Sequence, residues 1–67
     1  MRVEVYYRDA EEDTPNVFEA KEVRLGRLYD QKYVIIREEG VTTLINYDAI
    51  ACIEIHGLLE KVGDVEL

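Results

Sequence analysis

Two β-rich runs separated by a glycine turn constrain the fold of this chain more than any other feature of its sequence. The first run is Leu28–Arg37, the second is Val41–Tyr47, and Glu38–Gly40 lies between them. Valine, isoleucine, threonine and tyrosine dominate both runs, and their branched or aromatic side chains suit a pleated, half-buried strand better than a helix. We therefore predict an antiparallel hairpin at the centre of the fold.

Alternation of apolar and polar residues predicts a first strand over Arg2–Arg8. Three residues share its apolar face, namely Val3, Val5 and Tyr7. The following segment, 9–16, combines four acidic residues with the single proline of the chain. Proline lacks an amide donor, so we predict a solvated loop for this segment rather than a strand or helix.

The next run, Val17–Leu25, predicts a strand in which the apolar residues change from one face to the other part-way along (a parity change). Its apolar residues fall on opposite faces in the two halves: Phe18 and Ala20, then Val23 and Leu25. One extra residue near Lys21-Glu22 would bring both pairs to the same core, so we predict a β-bulge between Ala20 and Val23. Gly26-Arg27 is then expected to form the tight turn into the central hairpin.

The C-terminal third predicts one short helical turn and a last main strand. Asp48 can accept a hydrogen bond from a nearby amide, which favours a 3-10 turn over Tyr47–Ala49. In the strand that follows, Ala51, Ile53 and Ile55 are expected to point inward and Cys52, Glu54 and His56 outward. The segment Leu58–Leu67 is compatible with a helical turn broken at Gly63 or with a sixth strand that closes on the first.

These elements predict one all-β domain over residues 1–67, a small antiparallel barrel of five to six strands. The layout resembles that of SH3-like and Sm-like barrels, in which five bent strands include a short 3-10 turn before the last strand. The resemblance rests on the spacing of the strands and implies a fold without a function.

Composition limits the partners and the compartment. Eight basic residues against fifteen acidic ones give a net charge of −7, which repels nucleic-acid backbones and anionic membranes. We expect no binding of duplex DNA or RNA at physiological salt. The single cysteine cannot form an intrachain disulfide, the start of the chain lacks the apolar core of a secretion signal, and no apolar run could span a bilayer. We therefore expect a soluble cytoplasmic protein.

Catalytic and metal chemistry find little support in the sequence. Cys52 and His56 stand roughly 13 Å apart along a strand, too far for a thiolate–imidazole pair. Cys52, Glu54 and His56 line one face, but a structural zinc ion takes four such ligands, and only a neighbouring chain could supply the rest. The acidic pairs lie in solvated turns, and so small a barrel has little room for a catalytic pocket of about 300 Å³. We expect no enzyme activity, no cofactor and no metal.

One region combines basic and aromatic residues, as single-stranded nucleic-acid sites in small β folds do. Its members are Arg24, Arg27, Tyr29, Lys32, Tyr33 and Arg37. The net charge and the acids Glu22 and Asp30 within the same region oppose phosphate binding. Nucleic-acid binding is therefore the alternative function, and contact with a protein partner is preferred.

The central hairpin carries apolar side chains on both faces, at Val34–Ile36 and Leu44-Ile45. A half-solvated antiparallel strand has one polar face, so something must cover the second apolar face. A symmetric copy of the chain is the commonest cover, either by face-to-face packing or by pairing of open edge strands such as Arg2–Arg8. We therefore predict a non-catalytic interaction or assembly module that forms a homo-oligomer, most simply a dimer, through Ile36 or Leu44, whichever is outermost. An aspartate at that position should give a monomer or an unfolded chain.

Overall fold

The computed structural model describes residues 1–57, and within them the predicted all-β class is confirmed. Six strands form two three-stranded antiparallel sheets, ordered β2-β1-β6 in the first sheet and β3-β4-β5 in the second. The elements are β1 Arg2–Tyr7, β2 Asn16–Glu19, β3 Glu22–Leu28, β4 Gln31–Glu38, β5 Val41–Asn46, a 3-10 turn Tyr47–Ala49 and β6 Ile50–His56. Residues 1–57 form no closed barrel, and the two alternatives for Leu58–Leu67 lie outside the described residues.

The core draws one face from each sheet, as period-two alternation requires. Four side chains are at most 2% exposed: Val3, Val5, Val34 and Ile36. Ala20, Ile45 and Ile50 complete the cluster, and Phe18, Val23 and Leu25 pack against it. Full burial of one such aliphatic side chain is worth about 1.5–3 kcal/mol, so this cluster is the main source of stability.

The central hairpin is confirmed. β4 and β5 pair from Tyr33 opposite Asn46 to Glu38 opposite Val41, which leaves Glu39-Gly40 as a two-residue turn. Gly40 has φ +76°, a conformation that glycine adopts without the steric cost of a side chain. The turn residues therefore agree with the geometry that the register demands.

The predicted turn at Gly26-Arg27 is wrong. Both residues lie inside β3, where they pair with Tyr33 and Lys32 of β4. The chain instead reverses at Tyr29-Asp30, between the paired residues Leu28 and Gln31. Tyr29 has φ +57°, which is uncommon for a residue other than glycine, asparagine or aspartate. The true turn was missed because its left-handed position carries no glycine.

The predicted bulge between Ala20 and Val23 is replaced by a change of sheet. β2 ends at Glu19 and β3 begins at Glu22, and the two strands belong to different sheets. The Ala20 amide donates to the Met1 carbonyl at 2.7 Å, next to β1, whereas the Lys21 amide donates to the Arg37 carbonyl of β4 at 2.7 Å. The change of sheet turns the apolar residues on either side of it towards one core, which explains the parity change in the sequence.

A register shift occurs instead between β1 and β6. Tyr6 pairs with Cys52 and Tyr7 pairs with Ile50, so Ala51 is left without a partner in the ladder. Ala51 is exposed rather than inward-facing as predicted, and Ile50 takes the core position. The predicted 3-10 turn is confirmed, although its capping side chain is Asn46, whose Oδ1 accepts from the Asp48 amide at 2.9 Å.

Candidate functional site

The outer face of the second sheet carries a continuous row of apolar side chains. Ile35 and Leu44 are direct cross-strand partners, Tyr33 is two residues before Ile35 on β4, and Leu28 lies diagonally across from Tyr33 on β3. Leu28 and Leu44 are 51% and 46% exposed, and Tyr33 and Ile35 are half-buried. We call these four residues the apolar strip.

Gly26 makes the apolar strip flatter. It lies on the same outer face, directly opposite Tyr33. A Cβ atom at this position would stand 2.5 Å from Cδ1 of Ile35, so the isoleucine side chain occupies the space that any larger residue would need. Ile35 therefore lies across the β3 backbone instead of standing out from the sheet.

The basic residues nearest the strip are already paired with an acid. Arg24 and Arg37 lie on the same outer face as Glu22: Arg37 is its direct cross-strand partner, and Arg24 follows Glu22 by two residues on β3. The guanidinium Nη1 of Arg37 is 3.2 Å from Oε2 of Glu22, and Nη1 of Arg24 is 3.6 Å from Oε1 of the same carboxylate. One carboxylate thus offsets half of this positive charge, which weakens the site for a phosphate backbone.

The remaining residues of the predicted basic and aromatic region do not join that surface. Arg27 and Lys32 pair with each other across β3 and β4, on the opposite side of the sheet from Tyr33. Tyr29 lies in the hairpin turn and is 90% exposed. Ile36 has no exposed surface, so of the two predicted contact residues Leu44 is the outermost and Ile36 belongs to the core.

A depression of about 410 Å³ opens at the end of the second sheet beside the β4–β5 turn, and it is larger than so short a chain was expected to hold. Its lining residues are Lys21, Glu22, Arg37, Glu38, Glu39 and Gly40. Lys21 Nζ lies 3.3 Å from Glu39 Oε2, and Arg37 pairs with Glu22. The charges of this depression are solvated and mutually paired, which is unlike the dry surroundings that shift the pKa of a catalytic acid.

The outer face of the first sheet is charged. Glu4 of β1 and Glu54 of β6 are direct cross-strand partners, and His56 follows two residues after Glu54. Nε2 of His56 is 3.0 Å from Oε2 of Glu4 and 3.5 Å from Oε2 of Glu54. Arg2 donates to the other Glu4 oxygen at 2.9 Å. We call Glu4, Glu54 and His56 the acid–imidazole cluster.

The prediction that Cys52, Glu54 and His56 share one face of β6 is confirmed, whereas Glu4 was not predicted as their neighbour. Cys52 is exposed and lies opposite Tyr6, two residues before Glu54 on β6. Glu4 comes from the neighbouring strand, so only the pairing of β1 with β6 reveals it.

Burial raises the pKa of the Tyr6 phenol above its ordinary value, and the negative charges of Glu54 and Glu4 raise it further.

No known protein family, curated protein or solved structure matches this chain. Within residues 1–57 there is no helix long and apolar enough to cross a membrane.

Proposed function

We propose that this protein is a non-catalytic assembly module that forms a homodimer through the apolar strip. The observation that carries the proposal is the exposure of Leu44, 46%, on a sheet face where its direct partner is Ile35. Exposed apolar groups that adjoin one another on a flat surface are typical of protein contact sites. Water is displaced from both copies when such faces meet.

A symmetric dimer suits the shape of this face. Two sheets pack face to face at about 10 Å, with their side chains interdigitated. A two-fold axis near Ile35 would place Leu44 of one copy against the strip of the other and bury both leucines. Each buried side chain would contribute about 1.5–3 kcal/mol, against the loss of translational freedom and the repulsion of two chains of net charge −7.

For the fold we propose an SH3-like arrangement. The order of strands supports it, because β6, β1 and β2 follow one another in the first sheet and β3, β4 and β5 in the second. β2 and β3 then act as two halves of one bent strand, and the 3-10 turn precedes the last strand. An experimental structure in which the two sheets close into a barrel would support this arrangement, whereas one with the sheets stacked and open would contradict it.

The alternative function, binding of single-stranded nucleic acid, has weaker support. Arg24 and Arg37 share Glu22, while Arg27 and Lys32 lie on the other side of the sheet. A labelled oligonucleotide should therefore show no change in fluorescence anisotropy with micromolar protein at physiological salt.

We also propose a cytoplasmic location for the protein, because the free thiol of Cys52 suits a reducing compartment.

The test of the dimer compares two lysine substitutions. Leu44→Lys introduces a charge into the apolar strip. Val17→Lys introduces the same charge outside the strip, at a residue of similar exposure, 50%, on β2 of the first sheet. Lysine lowers the net negative charge of the chain, so lost association cannot be ascribed to added repulsion. We expect light scattering to give twice 7.8 kDa for the parent chain and for Val17→Lys, and 7.8 kDa for Leu44→Lys with an unchanged circular dichroism spectrum.

Salt separates this dimer from an electrostatic complex. Added NaCl screens the repulsion between acidic copies, so the parent dimer should tighten as salt is raised, whereas attachment through ion pairs should weaken. A parent chain that scatters as a monomer at micromolar concentration would refute the proposal. Equal dissociation by both lysine variants would also refute it, because the contact would then not be specific to the strip.

A further inference from the structure

We propose that the acid–imidazole cluster binds one divalent transition-metal ion of the zinc class. The ligands would be Oε2 of Glu4, Oε2 of Glu54 and Nε2 of His56, whose ligand atoms all lie within 4.8 Å of one another. The site lies on the outer face of the first sheet, and the apolar strip lies on the second. This inference is therefore independent of the proposed dimer.

The spacing of the ligand atoms fits a zinc coordination sphere. Zn–N and Zn–O bonds are about 2.0–2.2 Å long, so neighbouring ligands of a tetrahedral ion stand roughly 3.3–3.5 Å apart. Nε2 of His56 is 3.0 Å from Glu4 and 3.5 Å from Glu54. The Glu4 and Glu54 ligand oxygens lie within 4.8 Å of each other, so an ion could enter between the three atoms after side-chain movements of about an ångström. The backbone would not need to move, because paired strands already hold all three residues.

The electrostatics of the face favour a cation at this position. Like charges directly opposite on antiparallel strands are destabilising, and Glu4 and Glu54 are such a pair. The Glu4 side chain is only 13% exposed, so water screens its charge poorly. A divalent ion shared by the two carboxylates would neutralise both charges and leave the imidazole as a neutral ligand.

Arg2 would act as an outer partner of the site. Its guanidinium donates to Oε1 of Glu4 at 2.9 Å, while Oε2 of the same carboxylate faces His56. The two oxygens of Glu4 thus serve different neighbours, and Arg2 fixes the orientation of the oxygen that would bind the metal. The positive charge of Arg2 lowers the affinity for the ion, so we expect a site weaker than a four-ligand structural zinc site.

The mixture of ligands selects the class of metal. Imidazole nitrogen with carboxylate oxygen suits zinc and its neighbours in the first transition row, whereas Mg²⁺ and Ca²⁺ prefer oxygen ligands alone. Three protein ligands leave at least one position for water, as in open zinc sites. Zn²⁺ is therefore the probe, and Mg²⁺ at the same concentration is the control ion.

A salt bridge is the competing explanation of the same geometry. A protonated His56 would bind the two carboxylates without any ion, and the observed distances would be identical. The two explanations differ in their response to added metal. If the cluster is a metal site, the chain takes up one Zn²⁺ and its melting temperature rises. If the cluster serves only as a salt bridge, the chain shows no uptake of Zn²⁺ and no change in melting temperature.

The experiment is a calorimetric titration of ZnCl₂ into the untagged full chain. The Cys52→Ser chain is the reference, because the exposed thiol is an alternative zinc ligand two residues from Glu54. We expect one Zn²⁺ per chain with this reference, and binding at least about tenfold weaker after His56→Gln or Glu54→Gln. Glu19→Gln is the matched control, since Glu19 lies on the same face opposite Arg2 and outside the cluster.

Thermal unfolding gives a second readout. Zn²⁺ should raise the melting temperature of the reference chain and of Glu19→Gln, and should leave that of His56→Gln unchanged, while Mg²⁺ should shift none of them. Leu44→Lys should bind Zn²⁺ like the parent, so failure of the dimer would not affect this result. The proposal is overturned if the reference chain takes up no Zn²⁺, if Cys52→Ser abolishes binding that the parent shows, or if Glu19→Gln weakens it as much as His56→Gln.

Discussion

The outer faces of the two sheets differ although their inner faces are alike. The central strand of each sheet contributes two fully buried aliphatic residues, Val3 and Val5 from β1 and Val34 and Ile36 from β4. On the outside, β1 presents Glu4 of the acid–imidazole cluster, whereas β4 presents Tyr33 and Ile35 of the apolar strip. Core packing therefore constrains every second residue and leaves the intervening residues free to form two different surfaces.

The same difference explains the two-sided apolar pattern of the sequence. The pattern occurs in β4 and β5 and is missing from β1, whose outward residues are Arg2, Glu4 and Tyr6. If the outer apolar residues served the core, their loss would cost as much as the loss of inner ones. Neighbouring residues of β4 allow this idea to be tested directly.

The largest predicted effect separates the two sides of β4. Ile36→Ala removes a side chain with no exposed surface and should lower the free energy of unfolding by about 2–5 kcal/mol. Ile35→Ala changes the neighbouring outer residue and should cost less than half as much in the monomer, because water can fill the space. Urea unfolding of both variants, made in the Leu44→Lys chain to remove association, measures the difference. Equal losses would mean that the outer face is part of the core.

The sequence predicted the central hairpin because its turn glycine and its β-branched runs agree. Gly40 occupies the left-handed position that the register requires. At the other hairpin the left-handed residue is Tyr29, the first of the two turn residues, so the sequence signal pointed instead to Gly26, whose role is to make room for Ile35. Glycine thus marks either a turn or a close contact, and alternation alone does not distinguish the two.

The long-range features of the site were beyond a reading of local patterns. The parity change near Ala20 was detected, but a bulge and a change of sheet leave the same trace in the sequence. Glu4 and His56 are 52 residues apart, and only the β1–β6 register brings them together. Outward residues could be predicted strand by strand, whereas their neighbours across strands could not.

A smaller effect is predicted for the two turns of the second sheet. Tyr29→Gly should raise the free energy of unfolding by about 0.5–1 kcal/mol, since glycine removes the cost of a left-handed backbone but adds chain entropy. Gly40→Ala should lower it by about 1 kcal/mol, although a Cβ there would touch nothing within 4 Å. Urea unfolding measures both changes. A loss of stability in Tyr29→Gly would show that this tyrosine, 90% exposed, makes contacts that the geometry does not account for.

The smallest predicted effect concerns the charged face and the pKa of Tyr6. Burial first, and then the charges of Glu54 and Glu4, raise this pKa above the ordinary value of about 10. The unfolded chain therefore loses the phenol proton at a lower pH than the folded chain, so the contribution of Tyr6 to stability is complete below pH of about 10 and is lost as pH rises through the higher folded pKa.

Absorbance titration of tyrosinate, taken as the difference between the parent and Tyr6→Phe, isolates this group from the other tyrosines. Glu54→Gln should lower the pKa of Tyr6 towards its ordinary value, because it removes the larger of the two charge effects. Glu19→Gln, on the same face beside Arg2, is the matched control and should leave it unchanged. If Glu54→Gln has no effect on the titration, the carboxylate of Glu54 is directed away from Tyr6, and the charged face would not be the single electrostatic unit that distinguishes it from the apolar strip.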